Sequence, residues 1–307
     1  MICKGHILIA LILTACEQRP VVHTQAMGSA YLIEADALLA RIGSTHMKLV
    51  DLRSSEDYTN GHIAGAVYVQ RIDLEDASYA YEGMMANKEQ IEQLLGKLGI
   101  SSEDTLVLYD NNGLCEASRL WWILQNHDHR KVKMLHGGVA AWIAVGGQLS
   151  TERTTVEKAV FELPVNSSMR YAVSKEEMQK ALATDVVILD ARTDAEFSGA
   201  WQKPGSARAG RIPGSIHIDW AEAVNYDGDQ RLRSVEELER IYERMGISKE
   251  DPVIVYCHSG VRSAHTTFVL TQLLGYTNVK NYDGSWTEWS HFKDLPIEVD
   301  APTQLMQ

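Results

Sequence analysis

Residues 99–110, GISSEDTLVLYD, return as residues 246–257, GISKEDPVIVYC, at an offset of 147. Within the first six positions only Ser102 against Lys249 differs, and the apolar run that follows agrees in kind. The same offset lays Gly137 on Gly284 and Trp142 on Trp289. Upstream, LVDLRSSEDY (49–58) corresponds to ILDARTDAEF (188–197), and GHIAGAVYV (61–69) to GRIPGSIHI (210–218). The second copy carries ten more residues between these two segments. A duplicated unit of about 120 residues accounts for all of the matches, and that is an ordinary domain size.

Each copy alternates short apolar runs with helical patterning. In the first, the pattern predicts strands over 48–52, 106–109 and 131–135, helices over 88–98 and 116–125, and a helix starting at Ala140. Such alternation implies an α/β fold of two domains, each a parallel sheet with helices on both faces. The first domain is expected over residues 28–148 and the second over 170–300. Residues 149–169 lack sustained periodicity and read as the linker. Ligands of such sheets bind beyond the carboxyl ends of the strands. Asp110 and Cys257 hold that position in their respective copies.

The amino terminus belongs to a different class of segment. MICKGHILIALILTAC has one lysine, Lys4, and an apolar run from Ile7 to Leu13, which is short for a membrane span and suited to an export signal. It ends Leu13-Thr14-Ala15-Cys16, which resembles a bacterial lipobox. That resemblance implies a signal peptide over 1–15, lipidation of Cys16 and a tether over 16–27. The expected location is the periplasmic side of the cell envelope, at the outer membrane where there are two membranes. A net charge of −12 argues against nucleic acid as a general partner. Of the four cysteines, Cys3 would leave with the signal and Cys16 would be blocked, so Cys115 and Cys257 remain as thiols.

Residues 254–265, IVYCHSGVRSAH, pass from strand composition to helical spacing across a polar turn. Cys257 could be an inert thiol closing a strand, or a nucleophile. A strand, then Cys257-His258-Ser259-Gly260-Val261-Arg262, then a helix, puts the thiol at a helix amino terminus. Unpaired amides and the helix dipole stabilise an anion there and lower a thiol pKa. Gly260 permits the tight curl of a backbone cradle, and Arg262 adds a permanent charge with a planar donor fork. The combination favours the nucleophile.

These residues resemble the tandem-domain rhodanese family, that is, thiosulfate and 3-mercaptopyruvate sulfurtransferases. VKNYDGSWTEW (279–289) satisfies the family's carboxy-terminal signature, and YTNGHIAGA (58–66) resembles its amino-terminal one, with Ala64 where proline is usual. The resemblance implies a ping-pong reaction in which the Cys257 thiolate takes the outer sulfur of thiosulfate and sulfite leaves. The persulfide would lie among the amides of His258, Ser259, Gly260, Val261 and Arg262. A small-molecule acceptor, cyanide or a thiol, would collect the sulfur, with no metal, no organic cofactor and a monomeric protein. Asp110 cannot carry a sulfane sulfur, so the first domain is expected to be silent.

Further assignments follow from the same resemblance. Arg192 matches the family's second-domain arginine that contacts the donor; the competing assignment is an ion pair with Asp194 or Glu196. Asp190 is expected to orient backbone or arginine, and Arg211 to support the site. Asp110 and His62 are interdomain candidates, although His62 also reads as a capping histidine. Cys115 reads as a packed helix residue, the alternative being a second thiol near the interface, and Arg119 as an interface brace. Lys203 and Arg208, in the ten-residue insert, would rim the cleft or be solvated. In the family, positive side chains early in the loop accompany thiosulfate, and small ones accompany mercaptopyruvate. Ser259 matches the second type, while Arg262 and Arg192 together favour a dianion, hence thiosulfate. Rhodanese-like phosphatases have five residues between cysteine and arginine, whereas here four separate Cys257 from Arg262. A non-catalytic docking lipoprotein would not need the thiol.

Overall fold

The structure, a computed structural model, describes residues 28–300. The signal segment 1–15, the tether and the lipidation candidate Cys16 lie outside the described residues. Each copy of the repeat forms a five-stranded, wholly parallel sheet. In the first domain the order is Leu32–Ile33, Val132–Leu135, Thr105–Tyr109, Met47–Asp51, Val67–Tyr68. In the second it is Ala172–Val173, Val279–Tyr282, Val253–Tyr256, Val187–Asp190, Ile216–His217. Helices begin where the sequence supplies a cap: Ser54, Asn87, Ser174, Thr193 and Ser234 each accept an amide proton from the first turn.

The strand period of two decides which side chains meet between the domains. Leu106 and Leu108 on one central strand, and Val253 and Val255 on the other, enter a single core that runs through both domains. Val107 and Tyr109, and Ile254 and Tyr256, point to separate outer cores. Asp110 and Cys257, next in parity after Leu108 and Val255, therefore fall on the shared inner side. The helices Cys115–Asn126 and Val261–Phe268 pack against each other across this interface, with Trp121 edge-on to Phe268 at 5.0 Å between ring centroids.

Residues 149–169 are an ordered strap. Leu149–Ser150 pairs antiparallel with His62–Ile63. Beyond it the Ala159 amide donates to the Gly96 carbonyl at 2.9 Å, and Phe161 and Leu163 are buried in the shared core. Apolar anchors only two residues apart gave no periodic signal in the sequence.

Candidate active site

Cys257 follows the strand Val253–Tyr256, and the helix Val261–Phe268 starts four residues later. Between them Gly260 adopts φ +75°, and a Cβ there would lie 2.6 Å from the Asp283 carbonyl oxygen. Glycine is thus required both by backbone conformation and by space. The turn is pinned from outside: Ser285 Oγ accepts the amides of Cys257 and Gly260, each at 3.1 Å. The Trp286 and Thr287 amides donate to the carbonyls of Cys257 and His258. The VKNYDGSWTEW segment is therefore the buttress of the Cys257 loop.

Cys257 is only 1% exposed, and its sulfur accepts a hydrogen bond from Ser263 Oγ at 3.3 Å. Burial pushes its pKa up, but the Arg262 guanidinium, the Ser263 hydroxyl and the amides of Ser263 and Ser259 outweigh it. The net shift is downward, toward thiolate. Arg262 is itself held by Glu196, with two parallel hydrogen bonds of 2.7 and 2.8 Å. Burial would raise the Glu196 carboxyl, yet Arg262 holds it down at about 2. Thus Glu196 pairs with Arg262 rather than with Arg192. His258 is neutral at physiological pH, pushed down to about 4 by burial and by Lys203. Its Nε2 bonds the Pro204 carbonyl at 3.0 Å, and its buried Nδ1 has no partner among the described residues.

The thiolate faces a cavity of about 170 Å³ between the domains. Arg71, Asn112 and Cys115 of the first domain line it opposite Cys257, His258, Ser259, Val261, Arg262, Lys203 and Trp220. Lys203 arrives on the ten-residue insert and forms no ion pair among the described residues. Arg208, from the same insert, instead ties down the carboxy-terminal helix region through the carbonyls of Ser290, Trp289, Phe292 and Leu295.

In the first domain the equivalent loop is filled by its own carboxylate. Asp110 accepts the amides of Asn112, Leu114, Glu116 and Ala117 at 2.9–3.1 Å. A carboxylate thus sits where the second domain holds a sulfur. By the 147-residue offset Gly113, at φ +61°, matches Gly260, and Cys115 matches Arg262. Cys115 is packed in the shared core, as a helix residue is expected to be, and also lines the cavity between the domains. Burial, then Glu116, push its thiol well above the ordinary range, so it stays protonated.

Each domain also grips the other's loop. Arg119 of the first domain donates to the Gly260 carbonyl at 3.3 Å and to Asp283 at 2.6 Å. His265 of the second domain bonds the Gly113 carbonyl through Nε2 at 3.0 Å. The segment around Gly83 abuts Ser259, and Met85 donates its amide to Asp283 at 2.8 Å. Asp110 therefore acts within its own domain, while Arg119 braces the interface.

The donor-contact assignment of Arg192 needs correction, and Arg211 and His62 stand apart from the cavity. Arg192 is buried and spends its donors on Asp190, at 2.6 Å, and on the Gly210 carbonyl, at 2.8 Å, with its guanidinium 4.7 Å from the Trp286 ring. It does not line the cavity. Arg53, Asp51 and Gly61 repeat the arrangement in the silent domain, at 2.6 and 2.7 Å, so the unit is architectural and Asp190 orients Arg192 within it. Arg211 pairs with Glu298 and Asp300 at the protein surface, over the Phe197 ring. His62 follows the capping reading rather than the interdomain one: it is buried away from the cavity, stacked on Tyr58, with its ring nitrogens 2.8 and 3.1 Å from the carbonyls of Tyr58 and Glu152. Arg71, Asn112, Trp220 and Ser263 were missed. No local pattern marks the first three.

Comparison with known proteins agrees with this geometry. The Rhodanese-like domain family matches residues 34–145 and again residues 174–292. A thiosulfate sulfurtransferase of Corynebacterium glutamicum is 35% identical over 295 residues, covering 89% of this chain and 92% of that protein. The sulfur carrier protein TtuD of Thermus thermophilus is 35% identical over 250 residues, 78% of this chain and 86% of that protein. The crystal structure of SseA from Escherichia coli, described among 3-mercaptopyruvate sulfotransferases, superposes with a TM-score of 0.73. It shares 30% identity and covers 83% of this chain and 98% of its own. With both halves matched and a cysteine, Cys257, at the strand-to-helix corner of the second alone, the chain belongs to the rhodanese family of sulfurtransferases.

Proposed function

We propose that the protein moves a sulfane sulfur from thiosulfate, through a Cys257 persulfide, to a thiophilic acceptor such as cyanide or a thiol. The observation that carries this reading is the lowered Cys257 thiol facing a small cavity lined by Lys203, which has no ion-pair partner among the described residues, with Arg262 and Arg71, paired to Glu196 and Glu116, in the same wall. A dianion is drawn there, and the thiolate attacks its outer sulfur. The new bond joins Cys257 Sγ to that sulfur; the sulfur–sulfur bond of thiosulfate breaks and its electron pair departs on sulfite. Cyanide or a thiol then attacks the same outer sulfur, and Cys257 leaves as thiolate.

Thiosulfate is favoured over 3-mercaptopyruvate because Lys203 joins Arg262 in the cavity wall, which Arg192 does not line. Comparison of kcat/KM for the two donors tests the preference, and a large advantage for mercaptopyruvate would overturn it.

The monomer and its lipid anchor belong to the same proposal. Leu13-Thr14-Ala15-Cys16 supports lipidation at Cys16 and a periplasmic-side location, at the outer membrane where there are two. Expression with a radiolabelled fatty acid should label the wild-type chain and not Cys16→Ala. Label on both, or on neither, would contradict the anchor.

A further inference from the structure

Beside the sulfur cavity lies a second, larger cleft of about 850 Å³ on the first domain. The two share Arg71 and Asn112 in their walls. We infer that this cleft binds the sulfur acceptor, and that the acceptor it takes is a cationic thiol. The inference rests on the persulfide reading above and deepens it.

Size separates the roles. The donor is a small dianion that the 170 Å³ cavity accommodates, so the donor half-reaction has no use for the larger space. Charge separates them further. Asp57, Glu75, Asp76 and Glu82 line the cleft. Its two arginines are occupied, Arg53 by Asp51 and Arg71 by Glu116. The resulting negative potential disfavours thiosulfate and sulfite there and draws cations. Exposed Ile72 and Tyr79 add apolar surface, and the Tyr79 ring, 5.7 Å from that of Tyr81, offers a face to a cationic group. A thiol entering from this side passes the Arg71–Asn112 wall to reach Cys257. There it attacks the outer sulfur of the persulfide: a sulfur–sulfur bond forms on the acceptor, the bond to Cys257 Sγ breaks, and Cys257 leaves as thiolate. The acceptor attacks as its thiolate, and the proton it gives up ends on the transferred outer sulfur of the product persulfide, so atoms and charge balance.

A low-molecular-weight aminothiol and a cysteine flanked by lysines share this chemistry. Enzyme loaded with thiosulfate, its persulfide quantified by mass, is mixed in single turnover with cysteamine, with glutathione, and with short cysteine peptides flanked by lysine or by glutamate. Faster transfer to the lysine-flanked peptide than to the glutamate-flanked one is expected, and faster transfer to cysteamine than to glutathione points to a small molecule as the source. In Glu82→Lys the lysine-to-glutamate rate ratio should fall by roughly threefold to tenfold, and in Tyr79→Ala transfer to the lysine peptide should slow. Equal rates for the two peptides, or an unchanged ratio in Glu82→Lys with the persulfide fully loaded, would overturn the inference. Failure of the persulfide to form at all would instead overturn the functional reading, and this inference with it.

Discussion

Arg262 donates two parallel hydrogen bonds to Glu196, Nη1 to Oε2 at 2.7 Å and Nη2 to Oε1 at 2.8 Å, and so stands fixed beside the Cys257 sulfur. The charge that lowers the thiol is positioned by a carboxylate from an element remote in sequence. Loss of the guanidinium should raise the thiol pKa and slow persulfide formation. Arg262→Ala is expected to lower kcat/KM for thiosulfate by about tenfold or more, and Arg262→Lys by less, because lysine keeps the charge but not the fork. Thiosulfate turnover and the pH dependence of Cys257 alkylation check both. Kinetics of Arg262→Lys equal to the wild type would show that the fork to Glu196 has no part.

The two thiols of the cavity should react differently. Cys257 is lowered and Cys115 is raised well above its ordinary value by burial. At neutral pH a small alkylating agent should modify Cys257 at least about tenfold faster than Cys115, since the thiolate is the nucleophile. Peptide mapping after brief labelling measures the ratio, and comparable labelling of Cys115 would contradict the assignment.

Burial pushes His258 and His265 each down to about 4. The unfolded chain binds these protons near pH 6.5. Between pH 6.5 and about 4 it therefore carries more of them than the folded chain does, and stability falls as pH falls. The contribution of the two neutral rings is complete above pH 6.5 and is lost on passing through about 4. Urea midpoints at pH 7 and pH 5 should differ in the wild type and differ less in His265→Gln, where Gln can still donate to the Gly113 carbonyl. An unchanged difference in that variant would contradict the role of His265.

Asp110 is a structural anion that satisfies four amides. Asp110→Ala leaves those donors unpaired at the start of a helix that packs on the catalytic one. It should cost about 2–4 kcal/mol of stability while the remaining folded protein still forms a persulfide on Cys257. Denaturant unfolding with mass analysis reads both. Persulfide on a chain lacking Cys257 would show instead that the first domain is not silent.

Much of this was legible in the sequence because the repeat supplies an internal control. The strand-to-helix corner appears twice, and only one copy has the thiol. Gly260, Ser259 and Arg262 follow from the local chemistry of an anion cradle. Arg192 was misassigned because an arginine two residues after an aspartate reads alike whether it faces a ligand or folds back on that aspartate. The matching Asp51-Leu52-Arg53 of the silent copy held the answer, since Arg53 makes the same bonds there. Arg71, Asn112 and Trp220 reach the cavity only through the packing of one domain on the other. No strand or helix period encodes that. Lys203 depends on the path of an irregular insert, which propensity does not specify.

The most direct test of the account is intact-protein mass spectrometry after incubation with thiosulfate. The wild-type protein should gain the mass of one sulfur atom on Cys257, lose it on addition of cyanide, and gain nothing in Cys257→Ala. Absence of the adduct, or the same adduct in Cys257→Ala, would contradict it.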